Sequence, residues 1–268
     1  MSRLKAAVVQ VCSGVDIAAN LAGIEHLLTG QQSIDIVVLP ECFAMLGAPQ
    51  SVAAEQADEV MAWMASLARN LNCWLIGGAL PIPDDKDPRS HAACLVFSPE
   101  GEQAASYHKI HLFDAEVSDN MGSYRESSEF IPGCQPTLVD IGVANIGLSI
   151  CYDLRFPELF RHLVRLGANI LTVPAAFTKV TGAAHWEPLL RARAIENQCF
   201  VLAANQAGTH PDGRQTYGHS MIISPWGTIL AEGPAEGAAV VVAELDLDEQ
   251  TGIRQRMPCL RHGKLRGG

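Results

Sequence analysis

Short apolar runs alternate with amphipathic stretches through the first eighty residues of the chain. Residues 6–11 and 34–39 are continuous apolar runs of strand length, the pattern of strands buried on both faces. Between them, residues 16–28 place Ile17, Leu21, Ile24, Leu27 and Leu28 on one helical side. Residues 53–71 repeat that period with Val60, Met64, Leu67 and Leu71, and residues 74–79 form the next strand. A strand, a crossover helix and a second apolar strand indicate a parallel or mixed sheet covered by helices. Farther on, strands over 92–97 and 103–107 flank Ser98-Pro99-Glu100-Gly101, a hairpin turn. Residues 114–132 are polar and irregular, and a loop of that length in a compact domain is functional or disordered. The pattern then predicts a strand over 143–150, a helix from Pro157 to Leu166 stopped by Gly167, and a strand over 170–173. A helix over 185–197 and a strand over 200–204 follow; 220–224 and 228–231 bracket the turn Pro225-Trp226-Gly227, and 238–245 finishes the sheet. The class is α/β.

Composition narrows the picture. The 268 residues contain no linker, low-complexity tract or repeat at solenoid spacing, so residues 1–268 read as one domain. Apolar residues make up 48% and charged residues 18%, enough material for a large core. A net charge of −10 disfavours nucleic acid, whose binding needs clustered Lys and Arg to displace counterions. No stretch approaches the ~20 apolar residues that cross a bilayer. The start, Ser2-Arg3-Leu4-Lys5 followed by a run broken at Gln10, is too short for a signal peptide. The eight cysteines lack any Cys-x-x-Cys pair, which favours reduced thiols over a disulfide or zinc framework. Together these features describe a cytoplasmic protein with no membrane or nucleic-acid partner.

The candidate chemistry centres on Cys151, at the turn between the strand over 143–150 and the helix opened by Pro157 and Glu158. A thiol at the start of a helix is drawn toward its thiolate by the helix dipole. The alternative for a free cysteine is a small buried hydrophobe. The residues around it, Cys151-Tyr152-Asp153-Leu154-Arg155-Phe156-Pro157-Glu158, resemble the nucleophile motif of the nitrilase superfamily of carbon–nitrogen hydrolases. Leu39-Pro40-Glu41 resembles that family's general-base motif, and His108-Lys109-Ile110-His111-Leu112-Phe113 its lysine motif, in the family's order. The resemblance runs from Ala6-Ala7-Val8-Val9-Gln10 to Pro225-Trp226-Gly227.

The resemblance implies a four-layer α-β-β-α sandwich, a homodimer, no cofactor and no metal. It implies that Cys151 attacks an amide carbonyl, that Glu41 is the general base, and that Lys109 stabilises the oxyanion alongside the backbone N–H of Tyr152. It also implies that Glu126, in the loop after the lysine, orients Lys109 or helps proton transfer. A histidine-assisted cysteine protease or a zinc site would instead draw on His108, His111, His185 and His219. Residues 177–187 and 190–199 resemble the branch that contains the deaminated-glutathione amidase and the ω-amidase. Arg-Phe-Pro-Glu after the nucleophile and Tyr217-Gly218-His219-Ser220 are closer to the former. The substrate this implies is a small anionic amide: deaminated glutathione, split to 2-oxoglutarate and cysteinylglycine, or else 2-oxoglutaramate. From another class, a catalytically idle interaction protein of the same fold stays open. Arg155 is the candidate partner of the substrate carboxylate, with Phe177 and Thr181 beside it; a structural salt bridge from Arg155 to Glu158 or Glu187 is the alternative.

Overall fold

The computed structural model describes residues 3–31 and 33–264. Two six-stranded sheets lie face to face between layers of helix. The first contains β1 (Arg3–Gln10), β2 (Ile36–Leu39), β3 (Trp74–Pro83), β4 (Ser90–Phe97) and β5 (Gln103–His108), and α1 (Ile17–Leu28), α2 (Gln50–Glu55) and α3 (Ala57–Leu71) belong to the same half. A small hairpin, β6 (Asp114–Glu116) with β7 (Ser123–Arg125), leads to the second sheet. That sheet is built from β8 (Leu138–Asp140), β9 (Asn145–Leu148), β10 (Ile170–Thr172) and β11 (Phe200–Ala203), with α4 (Pro157–Leu166) and α5 (Lys179–Asn197) over it. A second small hairpin, β12 (Ala207–Thr209) with β13 (Gln215–Tyr217), precedes β14 (Met221–Ile223), β15 (Ile229–Glu232), β16 (Ala239–Asp246), α6 (Leu247–Arg256) and α7 (Cys259–His262).

The sheet orders are β16-β1-β2-β3-β4-β5 and β15-β14-β11-β10-β9-β8. Each has three parallel strands at its centre, an antiparallel edge strand on one side and an antiparallel pair on the other. Alternate residues of one strand enter different parts of the core. Ala6, Val8, Ile36 and Val38 face the second sheet, whereas Ala7, Val9, Val37 and Leu39 face α1 and α3. Burial on both faces is why these strands read as unbroken apolar runs.

The structure revises several sequence expectations. Gln56 (φ −108°, ψ 13°) divides the helix over 53–71 into α2 and α3. The strand over 143–150 shrinks to β9, because Val143 sits exposed at the turn of a hairpin with β8. Residues 238–245 return to the start of the chain and close the first sheet, antiparallel to β1. The helix over 185–197 starts earlier, at Lys179: the Thr178 side chain caps it, and Gly182 lets it pack on Tyr217, whose Cβ would lie 2.3 Å from an added methyl. The basic, glycine-rich sequence of residues 261–268 reads as a partly ordered tail or dimer arm; its first two residues belong to α7, and residues 265–268 lie outside the described residues. Among the described residues no helix is long and apolar enough to cross a membrane. All eight cysteines are free.

Candidate active site

The chemistry-bearing residues gather where strands of both sheets end, as ligand sites do in α/β sheets. Glu41 follows β2, Lys109 follows β5, Cys151 follows β9, and Ala176 and Phe177 follow β10. A glycine permits this convergence: a Cβ on Gly78 of β3 would stand 2.2 Å from Pro174 Cβ and 3.0 Å from the Glu41 amide nitrogen. Cys151 has φ +46°, a strained left-handed conformation for a non-glycine residue, and its amide donates to Pro174 O at 2.8 Å. Strain of this kind presents a side chain at the tip of a sharp turn.

Lys109 is almost wholly buried, and its Nζ donates to Glu41 Oε1 and Glu126 Oε1, both at 2.8 Å. The remaining oxygens are also engaged: Ala176 N donates to Glu41 Oε2 at 2.8 Å, and Phe113 N to Glu126 Oε2 at 2.6 Å. Burial by itself would raise the Glu41 carboxyl, but Lys109, the Cys151 thiol and the Ala176 amide together hold it below its ordinary value. Burial, with the charge of Glu41 added, raises Glu126 despite Lys109. Burial opposes the Lys109 ammonium, yet the two carboxylates keep its pKa well above the usual lysine value. Burial and then the Glu41 carboxylate push the Cys151 thiol well up, outweighing Lys109.

The expectation of a thiolate favoured by a helix dipole is therefore corrected. The segment after Cys151 is a five-residue 3-10 turn, Cys151–Arg155, and the cysteine's own amide is spent on Pro174. The resting pair is a thiol beside a carboxylate. Such a nucleophile depends on a base during attack, and the base stands beside it.

Behind the site, fully buried Asp153 ties the lysine segment to the cysteine turn. Its Oδ2 accepts from Tyr107 OH at 2.7 Å and Ile150 N at 2.9 Å, and its Oδ1 from His111 N at 3.1 Å, with His111 Nδ1 at 2.7 Å. Gln206 does the same for Glu41: its Nε2 donates to Ser13 Oγ at 2.8 Å and to the Glu41 carbonyl at 3.0 Å.

All eight sequence candidates, Glu41, Lys109, Glu126, Cys151, Tyr152, Arg155, Phe177 and Thr181, line one open-mouthed cavity of about 320 Å³. Arg155 makes neither of the salt bridges that were the alternative to a substrate contact. It meets His185 Nδ1 at 3.1 Å and lies over the rings of Phe177 and Tyr152, at 5.1 and 5.7 Å, while Glu187 pairs with Arg191. Thr181 lies in the first turn of α5 and bonds the capping Thr178 at 2.8 Å. The same cavity is lined by Phe113, Tyr124, Arg125, Asp212 and Arg214, which sequence reasoning did not pick. The one signal for the last two is the Asp212-Gly213 turn.

The histidines are occupied elsewhere. His108 stacks on His91 at 4.1 Å and burial lowers its pKa; His111 stacks on Phe156 at 3.7 Å; His219 meets Glu232 at 2.7 Å. Among the described residues no three His, Cys, Asp or Glu side chains form a metal-binding group.

Residues 5–255 match the Carbon-nitrogen hydrolase family. The chain belongs to that family. The deaminated glutathione amidase of Yersinia enterocolitica is 41% identical over 270 residues, 98% of this chain and 94% of its own length. The solved Caenorhabditis elegans NitFhit protein superposes with a TM-score of 0.91 at 38% identity, and this chain, 98% of it aligned, spans 66% of that one. Saccharomyces cerevisiae Nit3, a member of branch 10 of the nitrilase superfamily, superposes with a TM-score of 0.84 at 32% identity, over 96% of this chain and 94% of its own. As a carbon–nitrogen hydrolase, this chain is an α-β-β-α sandwich that hydrolyses carbon–nitrogen bonds of linear amides.

Proposed function

We propose that this carbon–nitrogen hydrolase, one domain over residues 1–268, hydrolyses the amide of deaminated glutathione to 2-oxoglutarate and cysteinylglycine. The observation that carries the mechanism is the buried Lys109 held at 2.8 Å by both Glu41 and Glu126, with the Cys151 thiol close enough to feel the Glu41 charge. In the proposed reaction Cys151 Sγ attacks the amide carbonyl while Glu41 takes the thiol proton. The carbonyl oxygen turns negative against Lys109 Nζ and the Tyr152 amide, the next N–H along now that Cys151 has spent its own. Glu41 passes the proton to the departing amine, the carbon–nitrogen bond breaks, and a thioester remains on Cys151. Water, deprotonated by Glu41, then releases the acid and restores the thiol. Glu126 holds Lys109 on station.

Arg155 supplies the cation for the 2-oxo acid carboxylate, with Phe177 and Thr181 shaping that wall. The name and 41% identity of the Yersinia relative support the substrate choice. A homodimer fits the same reading, supported by the exposed apolar side chains Leu166, Ile195 and Trp226, and the eight free thiols suit a cytoplasmic site of action.

The test is a panel of deaminated glutathione, 2-oxoglutaramate, an N-carbamoyl amino acid and a simple nitrile. Cys151→Ala serves as blank, and cysteinylglycine and ammonia are both measured. Preferred turnover of deaminated glutathione, lost in the variant, is the expected result. Preference for 2-oxoglutaramate moves the protein to the ω-amidase reading, equal activity in the variant removes Cys151 from the chemistry, and silence on all four favours the interaction-protein reading.

A further inference from the structure

Four cations line the cavity, and three of them have a hydrogen-bond partner in the protein. Lys109 is shared between Glu41 and Glu126, Arg125 donates to Tyr124 O at 2.9 Å and faces Glu116 at 3.6 Å, and Arg155 meets His185. Arg214 is different. Its guanidinium lies over the Tyr124 ring at 5.4 Å and makes no hydrogen bond among the described residues; its Nε is buried without a partner. Asp212 stands near but only loosely paired: its Oδ1 accepts from the Arg214 backbone N at 2.9 Å, and its Oδ2 lies 3.7 Å from Nη2. That arrangement aims the side chain while leaving its fork of donors unspent, and a buried donor without an acceptor is unfavourable until a ligand supplies one.

The turn that carries Arg214 is fixed at the cavity rim. A Cβ on Gly47, itself at φ +99°, would meet Pro211 Cδ at 2.9 Å and Asp212 N at 3.3 Å, and Asn120 donates to Gly213 O from the loop between β6 and β7. Arg155 and Arg214 thus stand on different walls. One lies with Phe177 and His185 beside α5, the other with Tyr124 and Asp212 on the β12–β13 turn.

We propose that Arg214 forms a second anion subsite, which binds the terminal carboxylate of the leaving group while Arg155 holds the 2-oxo acid end. The proposal rests on the substrate reading given above. Deaminated glutathione carries a carboxylate at each end of its scissile amide, and its leaving group ends in a glycine carboxylate whose geometry matches a guanidinium fork. An amide whose leaving group is ammonia has nothing for Arg214 to hold. The subsite therefore sorts substrates by leaving group, and acts on specificity without touching the reacting atoms.

The experiment compares deaminated glutathione with the same molecule capped as a carboxamide at its glycine carboxylate, in wild type, Arg214→Gln, Arg214→Lys and Arg155→Lys. Wild type should favour the free acid by about 10- to 100-fold in kcat/KM, the range for a hydrogen-bonded charge. Arg214→Gln should collapse that ratio to within about twofold, mostly through KM, and Arg214→Lys should keep part of it. Arg155→Lys should weaken both substrates and preserve the ratio. Equal losses on both substrates in Arg214→Gln, or a full ratio kept there, overturn the subsite while turnover by wild type upholds the amidase reading. A wild type inert toward deaminated glutathione overturns that reading and the subsite with it.

Discussion

Replacing Glu126 by Gln separates holding Lys109 from holding the fold. In the native site Glu126 Oε1 accepts from Lys109 Nζ at 2.8 Å and Oε2 from Phe113 N at 2.6 Å. A glutamine of the same shape has one oxygen to offer, so whichever way its amide turns, an NH₂ group faces another donor. In either orientation the lysine loses one of its two anionic partners, and with it about 1.5–3 kcal/mol of restraint at the oxyanion position. If that restraint acts in the transition state, kcat falls about 10- to 100-fold. The effect on stability is smaller, because the native carboxylate is itself disfavoured: burial and the charge of Glu41 raise its pKa. Removing that anion offsets part of the lost bonding, leaving a net loss of about 1 kcal/mol, or ~2–4 °C in Tm. Steady-state kinetics on the preferred amide, run beside a thermal melt, reads both quantities. Wild-type kcat in the variant would remove Glu126 from the mechanism, and a kcat loss matched by unfolding at the assay temperature would make its role purely structural.

Acid inactivation follows from Glu41, whose carboxyl is held below the ordinary value of 4.5, chiefly by Lys109 acting against burial. The stability this gives is present above the unfolded-state pKa and lost as pH falls through the folded one, and the base is lost with it. In Glu126→Gln the acid limb of kcat/KM should accordingly lie below pH 4.5, and a limb between pH 6 and 7 there would refute Glu41 as the base. Asp153→Asn puts an NH₂ group against one of the four donors that converge on a buried carboxylate, so it should cost about 2–4 kcal/mol and lower kcat by loosening the lysine against the cysteine turn; a melt within 2 °C of wild type would contradict this. Gly78→Ala drives a methyl into Pro174 and the Glu41 backbone, and should destabilise by about 1–3 kcal/mol with a loss of turnover at assay temperatures below the melt. Unimpaired turnover would show that the two strand ends need not approach so closely.

The strands and most helices were legible because their signals are local. Apolar runs at 6–11 and 34–39 mark strands buried on both faces, and the period of Val60, Met64 and Leu67 marks a helix with one buried side. Elements made by partners were not. The hairpins β6–β7 and β12–β13 are only three residues per strand and have little apolar periodicity of their own. Lys179–His185 is helical because Thr178 caps it and Gly182 meets Tyr217, the latter a contact across thirty-five residues of chain. The placement of β16 beside β1 joins the two ends of the chain and has no sequence signature.

The sequence by itself determined which side chains with acyl-transfer chemistry the chain carries, since the spaced motifs around Glu41, Lys109 and Cys151 are covalent facts of the polypeptide. Their protonation was decided by the tertiary structure. A cysteine before a helix reads as a thiolate, but burial and a carboxylate brought from 110 residues away make it a thiol, and the lysine between two glutamates stays charged in spite of its burial. Desolvation and Coulomb energy depend on which groups the fold stacks within a few ångströms, and that information is absent from spacing along the chain. The same holds for Arg214, an unremarkable charge in a polar turn until two loops carry it to the rim of the cavity with its donors free.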